Sequence, residues 1–156
     1  MAILKKSLIV GVGNPLRSDD GFGPRVIKEL QAFTQNHHNF DLLDGGTDAL
    51  ALIETIKNYT RAIIIDAINV NVVVPAGTIK VFSPHEAKIN IKDDALSTHG
   101  FGLAEMLNLI SLLQIQTEIT IVGVQPKTID FGDKLSAEIE NSLPEVLALV
   151  QKLLKE

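Results

Sequence analysis

The chain has no cysteine and no tryptophan, and aromatic residues make up only 4% of it. Without cysteine there are no disulfides, no thiolate zinc site and no cysteine nucleophile. The charge balance is acidic, at −5, and no Lys/Arg stripe appears, which argues against nucleic acid as a partner. Long hydrophobic runs are missing too, since none approaches the roughly 18 apolar residues of a membrane span. The start Met-Ala-Ile-Leu-Lys-Lys leads into a short apolar run, then Asn14-Pro15 and a charged turn, without a small-residue cleavage site. It reads as a first core strand rather than a signal peptide. The expectation is a soluble, cytoplasmic, monomeric protein.

What is present suits one globular domain over residues 1–156. Hydrophobic residues make up 46% and charged residues 21% of the 156, enough to bury an ordinary core. Strand-type and helix-type patterns alternate. A buried strand over 7–13 precedes a helix over about 24–36, with Val26, Ile27, Leu30 and Phe33 at helical spacing. A short strand over 40–43 closes in Asp44-Gly45-Gly46-Thr47 and leads to a helix over about 48–58. The third strand is 61–66. The next β-type run, at 78–82, follows too soon for a parallel crossover, so it is expected at a sheet edge, antiparallel. Ser83-Pro84-His85-Glu86 reads as a capping box opening a short helix, and 90–96 reads as a charged loop. A helix over about 99–113, a strand at 118–124 and a C-terminal helix from about 135 complete the pattern. Pro144 either kinks that last helix or caps a new one. The economical architecture is a single α/β/α sandwich around five mostly parallel strands.

Three chemistry-bearing residues fall where such a sheet brings distant segments together. Asp20 follows the first strand, Asp66 ends the third directly after Ile63-Ile64-Ile65, and His99 opens a helix behind Thr98. The carboxyl ends of parallel strands and the following helix starts share one edge. Two carboxylates and an imidazole form a usable metal-ligand set. Each residue also has a plain structural reading. Asp20 can be a turn or N-cap acid, Asp66 can bond a neighbouring loop, and His99 can cap or pack. Asp66 is the hardest to dismiss, because an acid at the end of a buried strand is costly to desolvate without a partner. A helix N-terminus favours the neutral imidazole that binds metals. His37-His38 sits between asparagines as a solvated loop, and His85 lies inside the capping box. The glycines after the first strand do not make a dinucleotide site: Pro15 interrupts the turn and Leu16 stands where a third small residue belongs. Neither a phosphate-loop lysine motif nor a His-Glu-x-x-His helix is present.

Taken in order, the segments are more specific than any one of them. Gly-Val-Gly-Asn-x-Leu-x-x-Asp-Asp-Gly-x-Gly (11–23), Leu43-Asp44-Gly45-Gly46-Thr47, Ile65-Asp66-Ala67, Pro75-Ala76-Gly77-Thr78, Thr98-His99-Gly100-Phe101-Gly102-Leu103 and Val122-Gly123-Val124-Gln125-Pro126 together resemble the hydrogenase maturation proteases over nearly the whole chain. The family places an acidic residue, an aspartate and a histidine around nickel. By resemblance these are Asp20, Asp66 and His99, serving both as metal ligands and as catalytic residues. Gly100 stands where some members carry a longer polar side chain.

The resemblance implies an endopeptidase that removes a C-terminal extension from the large-subunit precursor of a [NiFe] hydrogenase. Nickel already inserted in the precursor would be the recognition element, and no tightly held resident metal is expected. Asp44, Gly45, Gly46 and Thr47 would line the substrate cleft, with Asp44 tuning which precursor is accepted. The chemistry of cleavage stays open, and one option is metal polarisation of a carbonyl or water, with Asp20 or Asp66 assisting proton transfer. Two other readings stay open at this point: a hydrolase of related fold with its own metal, and a metal-dependent chaperone that binds the precursor without cutting it.

Overall fold

The computed structural model describes residues 4–33, 39–90 and 103–156. Five strands form one sheet in the order β2-β1-β3-β5-β4. They are β1 (Leu4–Val12), β2 (Phe40–Gly46), β3 (Tyr59–Ala67), β4 (Ile79–Phe82) and β5 (Glu118–Val124). All neighbours are parallel except β4, which runs antiparallel to β5 on the outer edge, as the short spacing before it requires.

The central strands are apolar on both faces, and the side-chain period of two sorts them into two cores. Leu8, Val10, Ala62, Ile64, Ile119 and Ile121 face one way. They pack under α2 (Ala49–Ile56), α3 (Pro84–Asn90) and α4 (Leu103–Leu112). Ile9, Ile63, Ile65, Val122 and Val124 face the other way, under α1 (Phe22–Phe33) and α5 (Ala137–Lys155). The architecture is the expected α/β/α sandwich.

Several local details depart from the sequence reading. β2 runs three residues further than expected, because Asp44-Gly45-Gly46 continues the strand instead of turning out of it. α5 is one helix that passes through Pro144. The proline is exposed, so its ring and missing N–H lie on the solvent side of the helix and do not disturb the packed face. The capping box forms as read, with Ser83 N–H donating to Glu86 Oε1 at 3.1 Å and Glu86 N–H to Ser83 Oγ at 3.3 Å. Of the charged loop expected over 90–96, Asn90 instead ends α3, and the rest of that loop and the start of the helix expected from 99 lie outside the described residues.

Candidate active site

The sheet's parallel register sets the carboxyl ends of four strands side by side. Asp44, Gly11 and Ile65 pair in one row, and Ile65 in turn pairs with Val122. Asp66 stands one residue further out, opposite Gly123. From β1 the chain passes through Gly13 and a 3-10 turn, Ser18–Gly21, into α1.

That turn is pressed onto the sheet so tightly that only glycine fits at the contacts. A Cβ on Gly13, whose φ is +139°, would stand 1.8 Å from the carbonyl oxygen of Asp20. A Cβ on Gly23 would meet backbone atoms of Ile65 and Val12 at 2.5 Å. The glycines that mimic a nucleotide loop in the sequence therefore serve close packing of α1 against β1 and β3. Their effect is to hold Asp20 over the end of β3.

Asp20 and Asp66 are both buried, at 7% and 8% exposure. Asp20 Oδ2 accepts from the Asn14 N–H at 3.0 Å, which closes the loop after β1. Burial pushes the Asp66 carboxyl well above the ordinary carboxylate range, and the nearby charge of Asp20 pushes it the same way. A bond from the Ala67 N–H opposes the shift and does not cancel it. Two acids far apart in sequence thus repel each other in a desolvated spot, an arrangement suited to a cation or to a shared proton. His99, the third expected ligand, lies outside the described residues. Among the described residues, no group of three His, Cys, Asp or Glu side chains is placed to hold a metal ion.

The expected substrate-cleft residues lie on the same edge. Asp44 is exposed, and its Oδ1 accepts from the Gly46 N–H at 3.1 Å. The carbonyl of Gly46 accepts from the Gly13 N–H at 3.0 Å, tying this segment to the loop that carries Asp20. Gly46 sits at φ +55°, with open space where a side chain would be. Thr47 is exposed. Asp44 also lines a groove of about 740 Å³ that runs past Ser18, Gly21, Arg25 and Lys134.

Two residues on this edge stand in the quoted segments, but the sequence assigns them no role. Gln125, directly after β5, accepts from the Val70 N–H at 3.1 Å and donates to Asn69 Oδ1 at 2.7 Å. Together with Asp20, Ala67, Lys127 and Thr128 it lines a cavity of about 250 Å³. The other is Asp19, at 0% exposure, whose carboxylate accepts from the N–H groups of Lys127, Thr128 and Ser136 and from Ser136 Oγ. The position of Gln125 at a strand's carboxyl end was a usable signal. For Asp19 there was none, because its partners lie more than a hundred residues away.

The chain is similar in sequence and fold to known proteins. The hydrogenase expression/formation protein HupD of Thiocapsa roseopersicina is 30% identical over 149 residues, 94% of this chain and 66% of its own length. The Hydrogenase 2 maturation protease of Escherichia coli K12 is 29% identical, over 93% of this chain and 90% of its own. The solved structure of the hydrogenase maturating endopeptidase HybD from E. coli superposes with a TM-score of 0.79 at 26% identity, covering 96% of this chain and 92% of that one. The sequence pattern described as hydrogenase maturation protease matches residues 24–153, a span that takes in Asp66, the Asp44–Thr47 segment and every strand after the first. With the same sheet, the same helices and that match, the chain belongs to the hydrogenase maturation protease family.

Proposed function

We propose that this peptidase removes the C-terminal extension of a [NiFe] hydrogenase large-subunit precursor after nickel has been inserted. In this reading the nickel arrives with the substrate, and Asp20, Asp66 and His99 close upon it. The observation that carries the reading is the buried pair, Asp20 beside Asp66, which is destabilised by its own charge until a cation stands between the carboxylates. Carboxylate and imidazole donors are compatible with nickel. Burial and the charge of Asp20 make the Asp66 carboxyl hold a proton more readily than an ordinary carboxylate, so Asp66 is the acid assigned to assist proton transfer at the scissile amide. Asp44, Gly45, Gly46 and Thr47 flank the peptide on the β2 side, with Asp44 as the contact that differs between precursors. The chain works as a monomer in the cytoplasm. Among the described residues no helix is long and apolar enough to cross a membrane.

The test is mass spectrometry of the large subunit after incubation with the enzyme. Nickel-loaded precursor should lose its extension, and nickel-free precursor should survive excess enzyme. Chelator treatment of the enzyme alone, removed before mixing, should leave activity intact, and zinc added to the metal-free mixture should not restore cleavage. Cutting of nickel-free precursor, or lasting inactivation by chelation, would instead mark a hydrolase with its own metal. A loaded precursor bound but unchanged in mass would mark a chaperone.

A further inference from the structure

Asp19 takes no part in the cleavage described above, yet it is the most completely enclosed of the buried charged side chains among the described residues. A carboxylate so enclosed is costly unless its oxygens are fully bonded. Here they are. Oδ2 accepts from Lys127 N–H at 2.8 Å, Thr128 N–H at 3.1 Å and Ser136 Oγ at 2.9 Å, while Oδ1 accepts from Ser136 N–H at 2.7 Å. The first two donors stand where the chain leaves β5, and Ser136 is the N-cap residue of α5. One side chain therefore clasps both ends of the 127–136 loop.

Main-chain bonds extend the seam. Asp19 N–H donates to Thr128 O at 3.1 Å, Ser18 N–H to Gly132 O at 2.8 Å, and Gly132 N–H to Leu16 O at 3.0 Å. Ser18 Oγ adds a bond to Asp130 O at 2.8 Å. Ser18 itself is held at φ +52°, a conformation that costs a non-glycine residue energy and persists only where its surroundings impose it. The seam imposes it one residue before Asp19 and two before Asp20. On its other side the clasped loop supplies Lys127, Thr128 and Ile129 to the cavity that Asp20 also lines.

We infer that Asp19 is a positioning residue: its carboxylate fixes the turn carrying Asp20 against the 127–136 loop, so that Asp20 and the far wall of the cavity keep one spacing. The inference rests on the reading of Asp20 as a group that meets the substrate's cation. A ligand displaced by about 1 Å forfeits much of its rate contribution, on the order of a hundredfold. Asn at position 19 keeps the shape but turns one acceptor into a donor that faces N–H groups, which frees one end of the loop.

The experiment is steady-state processing of nickel-loaded precursor by Asp19→Asn, Ser136→Ala and Asp20→Asn. Each is measured well below its melting temperature, with circular dichroism confirming the fold. Asp19→Asn should lower kcat by about ten- to a hundredfold while KM changes by less than about threefold. Ser136→Ala, which removes one of the four donors, should lower kcat by about threefold with the same KM pattern, and it carries the test if Asp19→Asn does not fold. A kcat within about twofold of wild type in the folded variant, with only the melting temperature reduced, would show a merely structural clasp and overturn the inference. A rise in KM at constant kcat would overturn it too. Full activity of Asp20→Asn would sink the reading of Asp20 itself, whatever Asp19 does. An inactive Asp20→Asn beside an unaffected Asp19→Asn would sink the positioning role alone.

Discussion

At the scale of the residue, Asp66 is where stability and function pull apart. Its pKa is raised in the folded chain by burial and by Asp20, so the native state binds more protons than the unfolded state above the ordinary carboxylate range. The stabilisation is complete below the unfolded pKa of about 3.9. It is lost as pH rises through the folded value. Asp66→Asn should therefore melt higher than the wild-type apo protein by about 1 kcal/mol, near 3 °C for a chain of this size, with the gap widening from about pH 4 upward. Calorimetry across pH checks this, and a gap that shrinks with pH would contradict it. In the processing assay the same variant, and His99→Ala, should lose at least about a hundredfold in rate. At the opposite end of the sheet the sign reverses. The Tyr59 hydroxyl bonds Asp41 Oδ2 at 2.6 Å, and with Lys6 it holds the Asp41 carboxyl below its usual range, while burial and Asp41 push Tyr59 up to about 12. What Asp41 contributes is present above its unfolded pKa and fades as pH falls. Tyr59→Phe should accordingly cost about 1 kcal/mol at neutral pH and less in acid, as read from melting curves at the two pH values.

At the scale of the element, glycines separate packing from conformation. Gly23→Ala sets a methyl group against backbone atoms of β1 and β3 that have no rotamer to yield. It should cost about 3 kcal/mol or prevent folding. Gly46→Ala meets open space and only the strain of φ +55°, so about 1 kcal/mol is expected. Denaturant midpoints of the two variants should differ accordingly, and equal losses would contradict the account. The strands, the antiparallel edge and the capping box were legible because each is written locally, in period-two apolar runs, a short spacer and a Ser-x-x-Glu. The juxtaposition of Asp20 and Asp66 was legible too, since parallel strands leave little choice of edge. Asp19 was not. In the sequence it is one more acid in a charged turn, and what buries it is a loop more than a hundred residues away. The passage of α5 through Pro144 was undecidable for a related reason, as only the packed helix shows that the proline points to solvent. The extension of β2 through two glycines ran against their usual reading as turn residues.

At the scale of the whole molecule, the sheet divides the protein into two cores that share no side chains. Ile53 lies in one and Val146 in the other. Ile53→Ala and Val146→Ala should each destabilise by about 2–4 kcal/mol, and the double variant by their sum to within about 0.5 kcal/mol. A larger coupling energy from urea titrations would mean the layers communicate through the strands. Strand order also implies a sequence of events during synthesis. Both acids are carried by the β1–β3 half of the chain, whereas the loop that Asp19 clasps begins at Lys127. During synthesis both acid-bearing segments leave the ribosome well before residues 127–136, and one sheet folds as a unit only when its later strands are present. The 127–136 segment must then arrive before the turn beneath Asp20 is locked. The last fifth of the polypeptide thus acts as the latch on a site whose acids were laid down long before.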